Sequence, residues 1–180
     1  MATSLTRPVA PEPYALLPPV PSFTVTSTDW VHGAPIPDVH THTDAGGGVS
    51  PQLSWSGFPE GTAGFAVNVF DPDAPGVAGW WHWTVLGLRP DVTSLDRDAG
   101  RPDGSGLPAG AFHLRGDDAV AGYVGSAPPP GDQVHRYYVA VHALDTADLG
   151  LTPDTPPGAA SCVLVFHTLA RAVLMGTYQR

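Results

Sequence analysis

The sequence predicts a mainly β protein: a β-sandwich with a single late α-helix at its flank. Apolar runs rich in β-branched and aromatic residues recur along the chain, at Phe65–Phe70, Thr84–Leu88 and Tyr137–Leu144. Such runs suit a pleated, half-buried surface. Glycine and proline, 21 of each among 180 residues, fall between the runs, so they mark turns rather than disorder. The period changes only between Ala159 and Met175, where Cys162, Phe166, Leu169 and Val173 recur at intervals of four, three and four. That spacing describes one face of a helix.

Taken in order, residues 1–20 form a proline-rich N-terminal arm, and residues 21–180 form one domain. Phe23 and Val25 open a first strand that closes near Trp30. Residues 32–48 are loop-like. They include His40-Thr41-His42-Thr43-Asp44 ahead of three glycines, and with no second ligand cluster this stretch reads as a solvated polar loop rather than a metal site. Ser50–Pro59 is a short strand running into a turn. The next strand ends near Asp71, because Pro72 removes a ladder donor and biases its predecessor toward extended geometry. Its partner begins at Trp80. Arg89–Gly110 reads as a long surface excursion, Gly122–Gly131 as a structured loop, and His135–Leu144 as a strand. In the late helix Gly176 is placed as the stop and Arg171 near the C-terminal dipole end, with Cys162 on the buried face.

The formal charge is −9, and all eight basic residues are arginine. An acidic chain is a poor ligand for nucleic acid or an anionic membrane surface. Without lysine there is no Schiff-base chemistry and no Walker-type phosphate loop. One cysteine allows neither an intramolecular disulfide nor a thiolate zinc site. The first twenty residues lack the apolar core of a secretory signal, and no stretch has the length of a transmembrane span. A cytoplasmic location is the expectation.

Four features converge on one pocket: Asp71 at a strand end, His82 among Trp80, Trp81 and Trp83, the Gly125–Gly131 loop, and His135. Two imidazoles supply N–H donors. Gly125, Ser126 and Ala127 present successive backbone N–H groups, the material of an anion-binding nest. Asp71 suits the orienting of a histidine or acceptance from a ligand hydroxyl or ammonium. A small anion such as phosphate or acetate fits this inventory. Taken singly, each residue also has a structural reading, as a buried acceptor or a satisfied core histidine. Their co-occurrence carries the argument.

DPDAP, then WHW after a short loop, then GSAPPPGDQVHRYYVAVHALD resembles the phosphatidylethanolamine-binding protein family, in its bacterial Raf-kinase-inhibitor-like branch. The likeness extends over residues 21–180. It implies a Greek-key antiparallel β-sandwich with a C-terminal α-helix packed at its side, and a pocket for phosphate, acetate or phosphoethanolamine-like headgroups. By the resemblance Asp71, His82 and His135 line that pocket, with Ala74, Trp80, Gly125, Pro128, Pro129 and Tyr137 on its walls. It also brings a kinase or protease partner and a homodimer into consideration, and no cofactor. Ala127 stands where the family often has glycine, so a narrower mouth or an altered backbone angle is expected there.

The function expected is therefore a binding protein without turnover. The alternative is a hydrolase using Asp71 with His82 or His135 and a water or Ser126 nucleophile, although residues 124–128 lack the G-x-S-x-G elbow. A third reading makes Asp71, His82 and His135 a metal site.

Overall fold

The computed structural model describes residues 5–44 and 46–180. Among the described residues, eight strands form two antiparallel sheets. The smaller sheet contains β1 (Thr24–Thr26), β2 (Leu53–Ser56) and β5 (Ser94–Leu95) in the order β1-β2-β5. The larger contains β3 (Gly64–Asp71), β4 (Trp80–Leu88), β6 (Phe112–His113), β7 (His135–Leu144) and β8 (Thr168–Tyr178). Its spatial order is β6-β4-β3-β7-β8. Three successive strands of this sheet thus lie side by side, and the fourth returns beside the first, which is the Greek-key pattern.

Period-two alternation decides what faces inward. Phe65, Val67 and Val69 of β3, Val139 and Val141 of β7, and Ala170, Ala172 and Leu174 of β8 meet Leu53, Trp55 and Leu95 of the smaller sheet. The outer face of the larger sheet is divided. Ala66, Leu86 and Leu144 pack against Ala160 and Leu164 of the helix α1 (Pro157–His167). Beside them lie Asn68, His142 and Arg171, all buried.

The N-terminal segment covers that polar patch. Tyr14, in a 3-10 turn at Pro13–Leu16, donates its hydroxyl to Asn68 Oδ1 at 2.6 Å. Asn68 Nδ2 donates to His142 Nε2 at 3.4 Å, and His142 Nδ1 donates to Thr168 Oγ1 at 3.0 Å. Thr168 then donates to the Leu164 carbonyl at 2.6 Å. Asn68, His142 and Thr168 each have a donor and an acceptor engaged, so these buried groups are satisfied, whereas Arg171 Nε has no hydrogen-bond partner among the described residues. The Arg171 guanidinium lies over the Tyr14 ring, 5.1 Å from its centroid.

The late helix is shorter than its spacing predicts. α1 stops at His167, and the chain passes directly into β8, which pairs with β7 from Thr168 to Tyr178. The four-three-four spacing of apolar residues coexists with a period-two alternation of Ala170, Ala172, Leu174 and Gly176, and pairing with β7 selects the latter. Tertiary context overrides a weak local preference. The helix buries Pro157, Ala160 and Leu164, so Cys162 is exposed rather than in the core, and Phe166 is 81% exposed. Gly176 lies within β8, where a Cβ would come within 2.5 Å of Ile36. The 89–110 excursion also departs from its reading: it contains β5 and buries Leu95 and Ala99.

The outer edge of β8 is occupied. Ser22 and Pro35 form parallel bridges to Arg171 and Thr177. Arg171 N donates to the Pro21 carbonyl at 2.9 Å, Thr177 N to the Ala34 carbonyl at 3.0 Å, and Gly33 N to the Met175 carbonyl at 2.8 Å.

Candidate functional site

The site lies where β4, β3 and β7 end together. Asp71 is the last residue of β3 and pairs with Trp80, the first of β4. His135 opens β7, and Tyr137 follows on the same face. His82 reaches the site through an irregularity. Val69 pairs with Trp83 and Phe70 with Trp81, so His82 is the extra residue of a β-bulge. His82 lines a cavity while Trp83 enters the core between the sheets. Two successive residues on one side of a sheet are forbidden to a regular strand and allowed by a bulge. Trp81 turns outward onto Phe70, with ring centroids 4.5 Å apart. Of the three indoles, only Trp80 lines the cavity.

That cavity has a volume of about 360 Å³. Asp71, Ala74, Trp80, His82, Gly125, Pro128, Pro129, His135 and Tyr137 all line it. His42, Pro75, Asp118, Val124 and Ala127 join them. The 40–44 stretch is therefore only partly a solvated loop: His40 and Thr41 are fully buried, while His42 and Asp44 are exposed and His42 forms part of the cavity wall. Gly125 explains the contact. A Cβ there would sit 2.4 Å from the His40 carbonyl oxygen, so only glycine lets the two loops touch, and His42 N donates to the Ser126 carbonyl at 2.9 Å.

The two site histidines are in opposite states. His135 Nδ1 lies 2.7 Å from Asp71 Oδ2, and Nε2 lies 3.0 Å from Asp132 Oδ2. Both ring nitrogens face carboxylates, so both act as donors and the ring is an imidazolium. Burial alone would lower its pKa, but the hydrogen bonds and charges of Asp71 and Asp132 outweigh burial and raise it. His82 Nδ1 donates to the Val124 carbonyl at 2.9 Å, which leaves Nε2 as the ring nitrogen open to the cavity. Burial lowers the His82 pKa despite the opposing charge of Asp71, so the ring is neutral. The expectation that both imidazoles donate to a ligand narrows to His82, since His135 has no ring N–H left over.

Tyr137 packs against both rings, with centroids 5.2 Å from His82 and 6.4 Å from His135. Burial, with the nearby charge of Asp71, pushes its phenol pKa up and keeps it a neutral donor. Asp71 Oδ1 accepts the Asp73 N–H at 2.8 Å, which fixes the carboxylate at the strand end. Asp73 faces away from the cavity, and its carboxylate holds Arg136 Nε at 2.7 Å.

Other expectations need revision. Gly125, Ser126 and Ala127 all keep negative φ, so they do not form a nest, which needs alternating backbone hand. For the same reason Ala127 adopts no unusual backbone angle, and its exposed methyl group simply lines the mouth. Ser126 is buried and is not part of the cavity wall. Among the described residues no group of three or more His, Cys, Asp or Glu is arranged to hold a metal ion. The donor chemistry agrees, because a metal-binding imidazole needs a free lone pair and His135 has none.

Comparison with known proteins places the fold. The model of the phosphatidylethanolamine-binding protein family matches residues 26–179. The chain belongs to the phosphatidylethanolamine-binding protein family. Within that family it is 41% identical to YbcL of Escherichia coli K12 over 161 residues, covering 88% of each chain. It is 36% identical to YbhB of the same organism over 158 residues, covering 84% of this chain and 97% of YbhB. The crystal structure of YbcL, described as a new member of the mammalian family, superimposes with a TM-score of 0.85 and covers 88% of this chain and 99% of that one. CT736 of Chlamydia trachomatis gives a TM-score of 0.71 at 30% identity, covering 88% of this chain and 98% of its own.

Sequence reasoning missed Asp132, Asp118 and His42. Asp132 had a signal, standing three residues before His135 in GDQVHRYY, but its partners come from far along the chain.

Proposed function

We propose that this protein binds a small anion, a phosphate, acetate or phospholipid-headgroup-like group, in the Asp71–His82–His135 cavity without turning it over. The observation that carries the reading is the division of labour between the two histidines. His135 is a fixed cation whose protons are committed to Asp71 and Asp132. It contributes charge to the wall and has no basic nitrogen for proton abstraction. His82 Nε2 and the Tyr137 hydroxyl remain for direct contact. Asp118 in the same wall gives a carboxylate for the ammonium of a zwitterionic headgroup. The hydrolase alternative keeps only His82 as base and water as nucleophile, since His135 is locked between two carboxylates and Ser126 lies outside the cavity wall.

A neutral His82 beside an anion must gain a proton to donate from Nε2, so binding takes up a proton. Acetate largely separates this effect from the ligand's own titration, because its charge changes little between pH 5.5 and 8, and the small loss of acetate at pH 5.5 opposes the expected trend. Calorimetric titration should show acetate binding more tightly at pH 5.5 than at pH 8. His82→Ala should weaken phosphate and phosphoethanolamine about ten-fold or more, the scale of a charge-assisted hydrogen bond. Equal acetate affinity at the two pH values, or unchanged phosphate affinity in His82→Ala, would overturn the reading.

A further inference from the structure

The family match begins at residue 26, yet a residue well before it reaches the site. Arg7 forks onto Asp132, Nη1 to Oδ1 at 2.8 Å and Nη2 to Oδ2 at 3.0 Å. Nη2 also meets the Asp73 carbonyl and lies 3.4 Å from His135 Nε2, and Nη1 donates to the Leu5 carbonyl at 2.8 Å. The Asp132 side chain is 1% exposed and that of Arg7 23%. The guanidinium therefore closes a buried carboxylate from outside. Asp132 Oδ1 accepts the Gln133 N–H as well, at 2.8 Å. Charges alternate along one line, Arg7, Asp132, His135, Asp71, and the line ends at the cavity.

The groups facing His135 are Asp71 from β3, Asp132 and Tyr137 from its own segment, and Arg7 from the arm. Among these only Arg7 comes from outside the family-like region. Without it, Asp132 would be a buried carboxylate with one imidazolium and one amide as partners, free to turn toward water. A bidentate fork fixes carboxylate geometry more tightly than a single donor can. The arm does not depend on this contact for its docking. Ala10 N donates to Asp73 Oδ1 at 3.3 Å, Arg136 donates to the Ala10 carbonyl at 2.6 Å, and Tyr14 is tied to Asn68.

We propose that Arg7 is a positioning residue of the cavity: it holds Asp132 against His135 and thereby fixes the ring with both N–H groups on carboxylates. His135 is thus made a fixed wall cation by a segment outside the shared domain. The ligand part of this inference rests on the anion-binding reading; the positioning part does not.

The test uses the full chain with ¹⁵N-labelled histidine at pH 6. Wild type should give two slowly exchanging His135 imidazole N–H resonances, from Nδ1 and Nε2. In Arg7→Ala the Nε2–H signal should be lost to water exchange while Nδ1–H, held by Asp71, persists. Arg7→Lys, which keeps the charge without the fork, should restore it only in part. Phosphate affinity should fall about three- to ten-fold in Arg7→Ala, the effect of one partly screened charge, and recover in Arg7→Lys. A Nε2–H resonance unchanged in Arg7→Ala overturns the positioning role. If wild type binds no phosphate, the anion-binding reading fails, and the imidazole spectrum still decides the role of Arg7.

Discussion

His135 and His142 stand on one strand seven residues apart, so they face opposite sides of the sheet, and burial has opposite outcomes for them. His135 lies between two carboxylates and its pKa is raised. His142 has only Asn68 and Thr168 as partners; burial, with the charge of Arg171 second, lowers its pKa to about 3. An unfolded histidine titrates near ~6.5. His142 is therefore protonated more readily in the unfolded chain, and its stability contribution is present above pH ~6.5 and lost as pH falls toward 3. At pH 5 the loss is about 2 kcal/mol. For His135 the folded pKa is the higher one, so its contribution is full below pH ~6.5 and fades as pH rises through the raised value. Urea unfolding from pH 4 to 9 should show both limbs. His142→Gln should flatten the acid limb and leave the alkaline limb, and His135→Gln should do the reverse. A histidine's identity was legible in the sequence; its charge state was not. That state depends on burial and on Asp71 for His135 and Arg171 for His142, groups that lie near these rings only once the strands have paired.

Among the elements, the central strands were read correctly because local chemistry agrees with packing there. Pro72 ends β3, and the indole-rich run opens β4. The bulge at His82 was not readable, because a bulge appears only against a partner strand, and it decides that Trp80 rather than Trp81 or Trp83 reaches the cavity. The late helix failed for a related reason: between Thr168 and Met175 one sequence satisfies two periods, and β7 chooses between them. Leu164, buried on α1, should cost about 2–4 kcal/mol as Leu164→Ala. Phe166→Ser, on the exposed face, should change stability by less than about 0.5 kcal/mol. Chemical denaturation of both variants distinguishes this helix face from the one that the sequence spacing favours. Gly125→Ala forces apart two loops that meet at backbone distance, and it should destabilise the fold by about 2 kcal/mol or more. A melting temperature equal to wild type would count against that close contact.

At the scale of the molecule, one sandwich is covered on its outer face by two unlike pieces, a helix over the apolar part and the N-terminal segment over the polar part. Composition and turn spacing made the sandwich legible. The covering did not show, because a proline-rich segment carries no periodicity. Its attachment rests on a few groups, Arg7, the Ala10 backbone and Tyr14, each of which looks ordinary alone. The occupied margin of β8 has a separate consequence. A sheet normally ends in a row of unpaired amides and carbonyls that can template another chain. Here residues 21–22 and 33–36 take up donors and acceptors along that margin, and Pro21 and Pro35 bring no amide hydrogen of their own. A second molecule therefore finds little to extend on that side. Polymer growth by strand addition is blocked at β8 for as long as these loops stay in place.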